Sequence, residues 1–284
     1  MRRSKGPIMA ELPRETAHIR LDLRGAVLHL WLNRPELRNA LSPQMVREIL
    51  ATFAAIADDR TVRVVVLRGA GGTFCAGGDI KSMSAAHEAP PAGATDELKE
   101  NNRRFGAMLD TVNAAPQAVI AAVEGYAMGG GFGLACVADI TIATADAKFG
   151  MTEVTIGVVP AAISPFVVKR IGLTAARRLA VSGARLDGTE AAAIGIAHRT
   201  VADAAALDAA VSDSCNQVLK CAPGAVAATK RLMLRAAGPS PMPELLDDAA
   251  ESFAAAVRGP EGREGTRSFV EKRKPSWVTQ VGEG

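Results

Sequence analysis

Aromatic side chains are scarce in this chain: eight Phe, two Trp and one Tyr make up 4% of its 284 residues. A platform for single-stranded nucleic acid stacks bases on exposed rings, so that class is disfavoured. Charge of one sign is equally thin. A formal net charge of +3 leaves no electrostatic footprint for a nucleic-acid partner. The cysteines Cys75, Cys136, Cys215 and Cys221 form no CxxC pair, so neither a zinc site nor a dithiol motif is indicated and no metal is expected. No apolar run approaches the ~18 residues of a membrane span. The basic start Met1-Arg2-Arg3-Ser4-Lys5 lacks the apolar stretch of a secretory signal. GxSxG and HExxH are absent, which removes the serine-hydrolase and zinc-protease readings. What remains is a reduced, cytoplasmic, globular protein without a nucleic-acid or membrane partner.

Small residues are abundant instead, and they favour close backbone packing. The runs 18–23 and 27–32 alternate around Arg24-Gly25 and predict a β-hairpin. Ser42-Pro43 opens a helix, with Ser as the cap and Pro in the first turn. Val46, Ile49, Leu50, Phe53 and Ile56 follow at helical spacing. The apolar runs 62–67 and 118–123 read as strands buried on both faces, with a third strand over 139–144. A helix is predicted over 97–113. Strands alternating with helices make an α/β chain. Beyond residue 204 only helical patterns occur, broken at Ala222-Pro223-Gly224 and Gly238-Pro239-Ser240-Pro241. The chain divides into a disordered lead-in over 1–15, an α/β core over 16–203 and a helical region over 204–284.

Three segments carry chemistry. In Phe74-Cys75-Ala76-Gly77-Gly78-Asp79-Ile80, glycines after a buried strand let the backbone approach a ligand, or simply make a strand-to-helix turn. Cys75 there is a weak nucleophile candidate, since no histidine is near in sequence. Gly129-Gly130-Gly131-Phe132-Gly133-Leu134 opens a helix whose first N–H groups are unpaired and partly positive. An oxygen that becomes negative is stabilised there. The run does not fit GxGxxG, so a dinucleotide site is not supported. In Phe149-Gly150-Met151-Thr152-Glu153-Val154, Glu153 stands among apolar residues. An apolar pocket would raise its pKa and suit it to proton transfer; the alternative is an exposed loop edge.

In order and context these segments resemble the enoyl-CoA hydratase/isomerase (crotonase) family, from Leu32-Asn33-Arg34-Pro35 to Lys272-Arg273-Lys274-Pro275. The resemblance implies a core of repeated ββα units wound as a superhelix, a helical C-terminal region for trimerisation and CoA capping, and a homotrimer or dimer of trimers. It implies an acyl-CoA thioester substrate and no cofactor besides the coenzyme A of that substrate. By position, Gly78 and Gly130 carry the two oxyanion-binding N–H groups, and Glu153 is the proton-transferring acid. Arg38, Asn39, Ala40 and Ala76, with Gly78, Asp79, Ile80, Lys81 and Gly130, fall on the CoA and substrate surface. Phe269, Lys272 and the basic tail around them fall on the element that meets CoA phosphates. Asp79 also reads as the cap of the next helix.

The chain departs from the two-glutamate members of that family at Gly133, where the second carboxylate would stand. Glu153 alone then serves hydration, or the enzyme is a Δ3,Δ2-enoyl-CoA isomerase, or the missing acid makes room for a branched acyl group. A catalytically degraded binding protein is a further alternative. Gly130–Cys136, Val158–Val168 and Phe269–Pro275 resemble isohexenylglutaconyl-CoA hydratases, with methylglutaconyl-CoA hydratases as near relatives. On that reading Gly133 widens the pocket for a branched glutaconyl-type chain.

Overall fold

The computed structural model describes residues 15–80, 90–91 and 94–282; the expected lead-in, Glu15 apart, and Lys81 lie outside them. β1 (Ile19–Arg24) and β2 (Val27–Leu32) form the expected hairpin, with Leu21 opposite Leu30. Ser42 caps α1 (Pro43–Ile56) by accepting a hydrogen bond from Met45 N at 3.1 Å. Met45, Val46, Ile49, Phe53 and Ile56 then bury one stripe of the helix. β3 (Val64–Gly69) starts two residues later than the apolar run suggests, because its partner β2 begins at Val27, opposite Val64.

The remaining core elements are α2 (Glu97–Ala114), β4 (Ala118–Val123), β5 (Tyr126–Met128), α3 (Gly130–Val137), β6 (Ile140–Thr144), β7 (Lys148–Gly150), α4 (Ser164–Ser182), β8 (Arg185–Asp187), α5 (Gly188–Ala193), β9 (Arg199–Val201) and α6 (Ala204–Val218). A six-stranded sheet runs β1-β2-β3-β4-β6-β9, parallel from β2 onward. A small second sheet, β5-β7-β8, stands beside it. Thus β4–β5–α3 and β6–β7–α4 each place one strand in the large sheet, one in the small sheet, and then a helix. This is the ββα repeat of a crotonase-type α/β fold. The large sheet is covered on both faces, as its β-branched runs require. Val65, Leu67, Val119, Ala121 and Val123 join the core beneath α1 and α2. Val64, Val66, Ile120 and Ala122 meet Leu207, Val211 and Cys215 of α6.

The helical region continues through α7 (Pro223–Ala236), α8 (Met242–Arg258) and α9 (Pro260–Val270). The division expected at residue 203 does not match a break in packing, because α6 is part of the core. No residue of α7 or α8 is fully buried. Two cations hold this outer region. The Arg63 guanidinium donates to Leu219 O at 3.0 Å, to Cys221 O, and to Trp277 O at 2.5 Å. Lys230 Nζ donates to Asp139 Oδ2 at 2.7 Å and to Gln117 O at 3.2 Å. Among the described residues, no helix is long and apolar enough to cross a membrane.

Candidate functional site

Both sheet faces are covered, so ligands reach the core at the strand ends, where the glycine-rich segments lie. The stretch after β3 first pairs with β5: Cys75 N donates to Tyr126 O at 2.7 Å and Met128 N to Cys75 O at 2.9 Å. Gly77, at φ 111, then reverses the side that the backbone presents. Beyond it Leu41 N donates to Gly77 O at 2.8 Å and Asp79 N to Leu41 O at 3.1 Å. In such a parallel bridge the flanking residues face Leu41, and Gly78 turns its N–H the other way. That N–H donates to no described residue.

Gly129 makes the corresponding turn before α3. At φ 49 and ψ −114 it holds a conformation that side-chain-bearing residues rarely adopt. Its N–H donates to Gly150 O at 2.9 Å, and its carbonyl accepts from Gly133 N at 3.0 Å. The helix therefore starts at Gly130, whose N–H has no intrahelical partner and no other described acceptor. A Cβ on Gly129 would stand 2.8 Å from Glu153 Oε1 and 3.7 Å from Gly77 Cα. One turn thus touches both the carboxylate and the Gly77–Gly78 segment.

Glu153 opens a short 3-10 turn, Glu153–Ile156, directly after the buried Phe149 and Met151. The side chain is half-buried, and Oε2 has no hydrogen-bond partner among the described residues. Burial pushes its pKa above the ordinary glutamate value, against a smaller pull from its own backbone N–H. The exposed loop-edge alternative is therefore overturned. Two free amides beside a carboxyl of raised pKa can hold a developing oxyanion and move a proton.

A sequence profile described as enoyl-CoA hydratase/isomerase matches residues 22–280. The chain belongs to the enoyl-CoA hydratase/isomerase family. It is 52% identical to the solved structure of Pseudomonas aeruginosa AtuE, with a TM-score of 0.88 over 92% of this chain and 100% of that one. An enoyl-CoA hydratase/isomerase from Marinobacter aquaeolei is 50% identical, with a TM-score of 0.89 over 93% and 100%. A putative enoyl-CoA hydratase of Thermus thermophilus is 34% identical over 89% of this chain and 97% of its own length.

Within this hydratase/isomerase fold the other expected site residues divide. Ala76 N donates to Arg38 O at 2.9 Å, joining the two expected CoA-facing segments. Arg38 is exposed, at φ 49, with its guanidinium 5.9 Å from the Tyr126 ring centre. Ile80 is exposed beside Gly78 and Asp79, and Ala40 is half-buried. Asn39 differs from expectation. Its side chain is fully buried, accepting from Arg34 N at 2.9 Å and donating to Ala70 O at 2.8 Å and Thr73 O at 2.6 Å. It shapes the loop rather than offering a polar group to a ligand. Asp79 pairs with Arg34 at 3.0 Å; the helix it was expected to cap starts where the described residues end.

Phe269 and Lys272 are exposed, and no hydrogen bond or ion pair among the described residues joins them to this cluster. The tail after α9 is fastened through Trp277 to Arg63, which precedes β3, whereas Gly78 follows β3. A strand of six residues separates those ends by about 20 Å. Cys75 is no nucleophile: complete burial pushes its thiol up to about 12. Gly133 leaves no widened pocket, since a Cβ there would lie 2.5 Å from Ile163 Cγ2 and 3.3 Å from Leu109 Cδ1. The apolar wall of Leu41, Phe105, Leu109 and Ile163 was missed by sequence reasoning, as was Arg34. Phe105 and Leu109 share one face of α2, but Leu41 and Ile163 come from segments far from it along the chain, so no local pattern joins all four.

Proposed function

We propose that this protein is a hydratase of 2-enoyl-CoA thioesters. In the proposed reaction the thioester oxygen accepts from the N–H groups of Gly78 and Gly130. The Glu153 carboxylate takes a proton from water as the hydroxyl joins Cβ. The charge that moves onto the thioester oxygen is held by the two amides. Protonated Glu153 then delivers its proton to Cα, and the carboxylate is restored with one water added. The observation that carries this reading is the turn at Gly129, which sets Glu153 against the two segments whose amides are free. The similarity to the putative enoyl-CoA hydratase of Thermus thermophilus supports the same reaction class. The resemblance of Val158–Val168 and Phe269–Pro275 to glutaconyl-type hydratases supports a branched acyl chain. The reading asks for no cofactor beyond the coenzyme A of the substrate.

An isomerase is the second reading, favoured by one observation. Ile163 occupies the space into which a side chain at position 133 would extend, so α3 supplies no second carboxylate. Moving one proton between Cα and Cγ needs only one base. Assays with crotonyl-CoA, 3-methylglutaconyl-CoA and a 3-enoyl-CoA, followed by mass spectrometry, separate the two. Gain of one water on a 2-enoyl ester supports the hydratase. Conversion of the 3-enoyl ester without hydration of any 2-enoyl ester replaces it with the isomerase. We further infer assembly as a homotrimer or dimer of trimers. The exposed Met233, Met242, Leu246, Phe253 and Val257 of α7 and α8 support a covered face there.

A further inference from the structure

The second turn of α3 makes a contact that the proposed chemistry does not use. Gly133 follows Gly130 by three residues, so the two share one side of the helix. A Cβ on Gly133 would stand 2.5 Å from Ile163 Cγ2 and 3.1 Å from Ile163 Cβ. The clash reaches the root of the isoleucine, not only a terminal methyl. Ile163 is 2% exposed, and its carbonyl accepts from Phe166 N and Val167 N, both at 3.0 Å. A β-branched side chain on so fixed a backbone has little freedom to swing aside. The same wall continues over Gly130, where a Cβ would meet Leu41 Cδ1 at 2.7 Å and Phe105 Cζ at 3.0 Å. Leu41, Phe105, Leu109 and Ile163 bring no polar side-chain atom to this side of the helix.

We propose that Ile163 is the specificity-determining residue of this site. Seated against the bare backbone of Gly133, it presents an apolar branched wall one turn from the Gly130 amide. That wall selects the acyl chain by shape, and it excludes a carboxylate from position 133. Gly133 and Ile163 are thus one unit: the residue at 163 decides what 133 can be. The proposal rests on reading the cluster as an acyl-CoA site.

A packing cycle and a selectivity measurement test it together. Gly133→Ala should lower Tm, and Ile163→Ala in the same chain should recover much of the loss. Gly133→Glu should likewise fold well only beside Ile163→Gly. Additive losses of Tm in these pairs would overturn the unit. Ile163→Ala alone should shift the kcat/KM ratio of 2-decenoyl-CoA over crotonyl-CoA by roughly tenfold, the low end of what one methylene is worth in an apolar pocket. An equal change for both esters would overturn the specificity role. Affinities for the same two esters, measured in an E153Q background, report selectivity without turnover. Selectivity that shifts there while the wild type hydrates neither ester counts against the hydratase reading alone.

Discussion

The amides of Gly78 and Gly130 meet no acceptor among the described residues, for different reasons. Gly130 is free because a helix begins at it, and any helix start leaves its first N–H groups unpaired. Gly78 is free because Gly77 turns the strand over, so that alternate amides face away from Leu41. The first kind of donor survives most local change, since it follows from helical geometry. The second depends on one backbone dihedral and on the loops that hold the segment on either side. Two donors in one cluster thus differ in how easily each is lost.

Glu153→Gln should have the largest effect and should strike both donors alike, because it removes the proton carrier they serve. Steady-state hydration should fall by about 10²–10⁴, with ester affinity retained. Gly77→Ala should separate the two donors. It forces a side chain to φ 111, with its Cβ 3.3 Å from Met128 O, and turns only the Gly78 amide. Turnover should fall by roughly 10²–10³, the usual loss for one oxyanion donor. A negligible loss would show that Gly130 alone carries the charge. Arg34→Gln removes the ion pair that steadies Asp79, next to Gly78. A several-fold drop in kcat, with Gly130 untouched, would sharpen the contrast further.

The smallest expected effects concern pH. Burial raises the Glu153 pKa, and the group must be ionised to accept a proton, so the acid limb of kcat/KM should lie above the ordinary glutamate value. The stability consequence has a definite sign. A raised folded-state pKa means that the folded protein holds its proton longer, so stability falls as pH rises through that value. Glu153→Gln should therefore melt slightly higher than wild type at neutral pH. The gap should close below the pKa of an unfolded glutamate, where both side chains are neutral.

Elements with strong local signals were readable in the chain: the hairpin, the Ser42 cap and strand β4. The strands β5, β7 and β8 were not, because three residues show no periodicity. In the site, the order of Gly78, Gly130 and Glu153 could be placed by resemblance. Their proximity could not, since it depends on Gly77 and Gly129 and on a sheet that pairs distant segments. Asn39 was misjudged for a related reason. A polar residue in a loop looks available until the backbone atoms around it are in place. Gly133 was misjudged because a missing side chain reads as empty space, whereas Ile163, thirty positions along the chain, had already filled it.

The reversal at Gly77 also determines which changes of length this loop can absorb. Along an extended backbone, donors point left and right in strict alternation. Inserting one residue between Gly77 and Gly78 would rotate the working amide into the ladder with Leu41 and silence it, with every catalytic side chain still present. Inserting two would restore the direction and only displace the donor. The polarity of the site is thus written as odd or even, a parity that a comparison of side-chain identities alone passes over.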